Sequence, residues 1–211
     1  MKIVEQSHEI LYPRGEDDWH QELVLIERAG RTAYKSEGSI TPTSHFEFIE
    51  KIIKRNHLAV IEFGTMMVHF VTDRGITHEI VRHRLCSFLQ ESTRYCNYTQ
   101  DKFGNEISFI MPGDVVRGNY HWEWEKACVH AEHHYLDMIT RGETPQTARA
   151  VLPNCTKTEI CVRANFREWR HIFQLREISK AAHPDMRRLM IPLYEQCRIK
   201  CPAVFEMGDP E

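Results

Sequence analysis

Ten residues, FGTMMVHFVT at positions 63–72, constrain the fold more than any other stretch of the chain. Met66, Val68 and Phe70 alternate with Thr65, Met67, His69 and Val71, the pattern of a buried strand whose side chains point to opposite faces in turn. A buried strand needs neighbours, and residues 3–11, 106–111 and 157–162 have the composition to supply them. Between these runs the apolar spacing is helical. Leu23, Leu25, Ile26 and Ala29 mark a helix over 19–34. Ser44 and Glu47 predict a capping box opening a helix that carries Phe46, Ile49, Ile52 and Ile53 up to His57. Asp73 and Gly75 close the strand, and Ile76, Ile80, Val81 and Leu85 predict the apolar face of a helix. On it Glu79, Arg82, His83 and Cys86, at spacings of three, four and seven, would share a separate face. Further helices are expected over 120–139, 144–152, 166–182 and 184–200, the last with Pro184 at its first position. The expectation is an α+β fold, a small mixed or antiparallel sheet packed by several helices. No repeat or linker divides it, so residues 1–211 read as a single domain.

Charge narrows the function. The formal net charge is -3 with 27% charged residues and the sequence pI is near 6.5. A surface that grips nucleic acid throughout is not expected, and an anion site must be local. The N-terminus lacks the apolar core of a secretory signal and no run of eighteen apolar residues is present, so a soluble, cytoplasmic protein without a membrane partner is expected. Seven cysteines without a C-x-x-C pair fit a reducing compartment. Cys86 and Cys96 are read as packing residues, and the sequons at Asn97 and Asn154 carry no meaning without a secretory signal.

Against that acidic background, residues 82–95 read RHRLCSFLQESTRY. Arg82, His83, Arg84 and Arg94 are countered only by Glu91, and Ser87, Ser92 and Thr93 add hydroxyls. Guanidinium forks bind phosphate oxygens bidentately, and hydroxyls with loop amides complete such a cradle. A solvated face of surface ion pairs, each worth ~0–1 kcal/mol, is the plainer alternative, but polar residues interleaved with the arginines favour a pocket. A second basic run, VRANFREWRHIFQLR at 162–176, places Arg167, Arg170 and His171 on one side of a helix with Gln174 below them. Arginines among aromatics also suit single-stranded RNA, a rival class that predicts steep salt dependence. Ser92 has no orienting third group for nucleophilic work. HAEHH at 130–134 has no fourth ligand for zinc and reads as a polar helix face.

Arg82-His83-Arg84, seven residues, then Ser92-Thr93-Arg94 resembles the signature of the flavin-dependent thymidylate synthases. Ala148-Arg149-Ala150-Val151-Leu152-Pro153, Asn165-x-Arg167, Phe173-Gln174-Leu175-Arg176 and Cys201-Pro202 are similar to later family segments in the right order. The resemblance implies a homotetramer with active sites where subunits meet. It also implies reductive methylation of dUMP to dTMP with FAD as cofactor, and with 5,10-methylenetetrahydrofolate and NADPH as co-substrates. A related methylase of another pyrimidine nucleotide, such as UMP, is the near alternative.

Carried over by resemblance, Glu79, Arg82, Gln90, Glu91, Ser92, Thr93, Arg94 and Arg149 would hold the nucleotide. Arg176 would be the catalytic residue, favouring negative charge on the uracil and so activating C5. His57, Ala59, Glu62, Arg82, His83, Arg84, Gln90, Asn165, Arg167 and His171 would hold the flavin. The chain departs from the family pattern in three places. Leu89 stands where many members have Asn. Glu79 and Gln90 exchange an acid and an amide relative to the common order. The segment from His57 to Phe63 lacks a threonine and a second histidine, leaving backbone contacts around Ala59.

Overall fold

The computed structural model describes residues 1–100, 103–114, 118 and 120–207. In chain order the elements are β1 (Lys2–Val4), β2 (Ser7–Tyr12), α1 (Glu16–Tyr34), α2 (Ser44–Lys54), β3 (Thr65–Asp73), α3 (Arg74–Ile80), β4 (Ser87–Gln90), β5 (Ser108–Ile110), α4 (His121–Thr140), α5 (Pro145–Ala148), β6 (Lys157–Asn165), α6 (Phe166–Phe173), α7 (Pro184–Lys200) and α8 (Pro202–Phe205). Short 3-10 turns occupy Glu37–Ser39, Leu58–Phe63 and Arg149–Val151, and Gln174–Ile178 is π-helical. One sheet has the order β2-β3-β6-β4, and β1 pairs with β5 in parallel. The expected α+β class, a small sheet content packed by several helices, is what forms.

Contacts divide the chain into two compact units that interleave in sequence. The first comprises residues 1–7, 70–82 and 89–161, and the second 8–69, 83–88 and 162–211. In the first unit, Tyr98, Ile107, Phe109, Cys128, Tyr135 and Ala148 pack as one buried cluster. In the second, Trp19, Phe166 and Phe205 make mutual ring contacts, with centroids 5.3–6.4 Å apart. Edge and offset contacts of this kind add to what the buried area contributes.

The alternation read over 63–72 holds: Met66, Val68 and Phe70 are fully buried, and their neighbours on the strand are half-buried. The strand is anchored by Glu22, a buried acid that accepts from the Thr65 backbone N–H at 2.7 Å and the Tyr12 hydroxyl at 2.5 Å. That hydrogen bond pushes the Tyr12 pKa up to about 12.

Four local expectations are corrected. The strand over 3–11 is two strands, β1 and β2. Ser44 does not cap α2: its hydroxyl donates to the buried Glu27 carboxylate at 2.8 Å, and Thr43 holds the cap position. A tertiary acceptor outcompetes the local amide, and the helix ends at Lys54 before the left-handed Asn56. The helix after Asp73, which caps it by accepting from Ile76 N at 2.8 Å, stops at Ile80. Glu79, Arg82, His83 and Cys86 therefore do not share a helical face. The helix over 166–182 is α-helical only to Phe173. Beyond it the register widens, Ser179 N–H bonding Gln174 O at 3.1 Å, and a π-turn replaces the last turns.

Candidate active site

Several of the residues singled out from sequence gather in two clusters, one within each unit. In the first unit β4 ends at Gln90, and Ser92 opens a turn in which Tyr95 N and Cys96 N donate to Ser92 O at 3.1 and 2.9 Å. The turn buries Thr93, whose hydroxyl accepts from Arg149 Nη1 at 3.0 Å. Arg149 is delivered by α5, which begins with the Thr144 cap and Pro145 at its first position. Arg94 Nε donates to Gln146 Oε1 at 2.7 Å. The partners of Arg94 and Arg149 are thus an amide and a hydroxyl. Among the described residues neither guanidinium meets a carboxylate, so both keep their full charge for an outside anion. Arg82 is exposed and Glu79 half-buried. Glu91 takes hydrogen bonds from Tyr98 Oη at 3.0 Å and Lys157 Nζ at 3.2 Å, and its carboxylate lines a cleft of about 450 Å³ with Lys2, Glu106 and Ser108.

The second cluster surrounds His83, which is 5% exposed. Arg176 Nε donates to His83 Nε2 at 3.1 Å, Glu168 Oε1 lies 3.5 Å from Nδ1, and the His171 ring meets the imidazole edge-on at 5.9 Å. Burial, then Arg176 and His171, push the His83 pKa down to about 4. The ring is therefore neutral at pH 7, with Nε2 an acceptor and the proton on Nδ1 facing Glu168. The contact with Glu168, an acid whose own pKa burial raises, joins a neutral imidazole rather than a cation. Asn165 caps α6 by accepting from Glu168 N at 2.8 Å. Trp169 locks the helix to the sheet by donating Nε1–H to Met66 O at 3.0 Å. Arg167 donates to Glu62 at 2.6 Å. A cleft of about 490 Å³ follows, lined by Glu62, Asn165, Arg167, Arg170, His171 and Gln174 among others. The joint placement of Arg167, Arg170, His171 and Gln174 matches the sequence reading.

A profile of the family described as "Thymidylate synthase complementing protein" matches residues 16–203. The flavin-dependent thymidylate synthase of Mycobacterium marinum is 33% identical over 199 residues, covering 86% of this chain and 77% of that protein. The chain belongs to the flavin-dependent thymidylate synthases. The enzyme of that name from Mycobacterium tuberculosis is 31% identical over 198 residues, with the same coverage. A crystal structure of the UMP/dUMP methylase PolB from Streptomyces cacaoi, bound with 5-Br dUMP, matches with a TM-score of 0.75 at 19% identity, covering 98% of this chain and 96% of that one. At that identity the likeness speaks for the fold.

Membership makes the chain a flavoprotein methyltransferase and sets aside the RNA-binding reading. It also fits the thiols. Burial, helped by Glu168, pushes the Cys86 pKa up to about 12, which holds this cysteine within the motif as the neutral thiol. His57 is exposed and sits at the start of the 3-10 turn, its Nδ1 2.5 Å from the Tyr34 hydroxyl. Ala59 is exposed on the same turn, and Arg84 is exposed in the loop before β4. A flavin suits the second cleft. Its volume lies in the range of ligand pockets, and guanidinium, imidazole and amide groups offer donors to a pyrophosphate and to ring edges. Sequence reasoning missed Thr77, Gln146, Thr158 and Glu168. Only Glu168 had a local signal, the Asn165-x-x-Glu168 pattern of a capped helix start; the others meet their partners across gaps in sequence.

Proposed function

We propose that this chain methylates dUMP reductively to dTMP, with FAD as cofactor, 5,10-methylenetetrahydrofolate as carbon donor and NADPH as reductant. The observation that carries the reading is the pair Arg94 and Arg149, held beside the Ser92–Thr93 turn by an amide and a hydroxyl. Two cations fixed by neutral partners suit a dianionic phosphate, which takes charge-assisted hydrogen bonds from both. Arg82, Ser92, Thr93, Arg94 and Arg149 bind and orient the nucleotide, with Glu79, Gln90 and Glu91 closing the turn around it. His57, Ala59, Glu62, His83, Arg84, Asn165, Arg167 and His171 hold FAD, and the family resemblance assigns Arg82 and Gln90 to the flavin as well as to the nucleotide. Bound FAD supplies the hydride and one-carbon chemistry.

Arg176 carries the electrostatic step. Its Nε edge is fixed by the neutral His83, and its charge favours electron density at uracil N3 and O4, which raises the nucleophilicity of C5. His83 does this by staying unprotonated: an imidazolium would repel the guanidinium it now positions. The working form is a homotetramer in a reducing cytoplasm. Leu85, Leu89 and Tyr95, 73–78% exposed on and beside the motif, are apolar surface that a neighbouring subunit would cover.

A second reading, methylation of UMP, is favoured by the likeness to a structure named a UMP/dUMP methylase. One experiment separates the two. The protein is incubated with FAD, NADPH and methylenetetrahydrofolate, dUMP, UMP and dCMP are offered in competition, and the methylated product is identified. The dTMP product is expected, and methylated UMP would select the second reading. No methylated product from a protein that has taken up FAD would overturn both.

A further inference from the structure

Thr77, Gln90 and Thr158, all in the first unit, form a chain of hydrogen bonds whose polarity can be read without seeing a hydrogen. Thr77 Oγ1 donates to the Arg74 carbonyl oxygen at 3.0 Å. A hydroxyl has one proton, so toward its other neighbour, the Gln90 side chain 2.9 Å away, Thr77 can only accept. The atom facing it must be the amide nitrogen, because the flipped amide would set lone pairs against lone pairs. The second N–H of that nitrogen reaches Thr158 Oγ1 at 3.2 Å. Both threonines are fully buried, so neither hydroxyl can turn to water and release the amide. Gln90 itself is half-buried, and its Oε1 is not among the buried polar atoms that lack a partner. The nitrogen is committed inward, which leaves the oxygen as the end of the side chain able to face a ligand.

We propose that Thr77 and Thr158 are positioning residues that make Gln90 a one-way acceptor. Its Oε1 takes a hydrogen bond from a donor group of the pyrimidine nucleotide and so determines specificity. The proposal rests on the nucleotide reading above and deepens it. Gln90 ends β4 two residues before Ser92, next to the turn assigned to the phosphate. A pyrimidine nucleotide offers two kinds of donor, a sugar hydroxyl and the ring N3–H, while its carbonyl and phosphate oxygens would be repelled. The same polarity accounts for the amide at a position where many family members carry Glu. An ionised carboxylate has no proton for Thr77, so the glutamine and the two threonines are a matched set.

The test is calorimetric binding of dUMP, 2′,3′-dideoxy-UMP and N3-methyl-dUMP to the full-length, FAD-loaded protein. One of the two analogues should bind about tenfold more weakly than dUMP, the loss expected for one neutral hydrogen bond, and which one it is identifies the donor. In Gln90→Met, and in the double variant Thr77→Val/Thr158→Val, the dUMP-to-analogue ratio should fall toward one while the weaker analogue keeps its wild-type affinity. A merely structural role would weaken all three ligands together, which overturns the proposal. If the double variant does not fold, Gln90→Met at its half-buried site decides alone. Equal wild-type binding of all three nucleotides overturns the acceptor role and leaves the nucleotide site standing. Absence of dUMP binding in a protein that retains FAD overturns the underlying reading instead.

Discussion

Arg176 donates its Nε–H to an imidazole kept neutral by burial and by the nearness of Arg176 and His171, and this pairing has two separable consequences. The first concerns turnover. Arg176→Ala removes the group assigned to the developing charge on the uracil. The rate of dTMP formation should fall about 10²–10³-fold, the usual cost of deleting one such donor, while the flavin absorbance of the purified protein is retained. Unchanged turnover would refute the role. The second concerns acid stability. The folded pKa of His83 is about 4, below the ordinary value of 6.5. The unfolded chain therefore binds this proton first as pH drops. The stability held by the neutral ring is fully present above pH 6.5 and lost as pH falls from 6.5 toward 4, by up to about 3 kcal/mol. Glu168, whose pKa is raised, works in the opposite sense. Comparing urea midpoints of wild type and His83→Gln across that window isolates the imidazole, and a variant with the same pH profile as wild type would overturn its assignment.

Gly64 shows how an element is seated by the absence of a side chain. Its carbonyl accepts the first N–H of α6, Phe166 N, at 2.9 Å. A Cβ built there would lie 2.5 Å from a Phe166 ring carbon and 2.7 Å from Ile26 Cδ1. Both neighbours are completely buried and cannot swing aside. Gly64→Ala should therefore cost about 1–3 kcal/mol by overpacking, read as a lowered melting temperature, with flavin affinity falling as well because α6 carries Arg167 and His171. Full retention of both would show that the core can yield. At this scale the elements whose apolar spacing matched a single period were legible. β3 alternates as expected, and α1, α4 and α7 lie where their repeats and Pro184 put them. Elements whose ends are decided by distant partners were not. Ser44 was drawn away from its cap by Glu27, and the stretch after Ile80 left the helix and placed His83 against Arg176, 93 positions further along. The residues assigned to the site were chosen from their types and spacings. Their hydrogen-bond partners Gln146, Thr77 and Thr158 were not, since no local pattern links them.

Across the whole molecule the two units share strands, for β3 and β6 each pass from one into the other, and the chain changes unit after Ser7, His69, Arg82, Phe88 and Cys161. No truncation frees either unit without carrying pieces of the other. Because single strands run covalently from one unit into the other, unfolding should be a single cooperative transition. Far-UV circular dichroism should coincide with the fluorescence of single-tryptophan variants that keep Trp169 in the second unit or Trp124 in the first. Separated midpoints would show units that melt independently. One of the five crossings is the peptide bond between Arg82 and His83. The arginine-histidine pair that opens the motif thus marks a change of unit along the chain. Descent has rewritten about two thirds of the matched residues between this chain and its mycobacterial relatives.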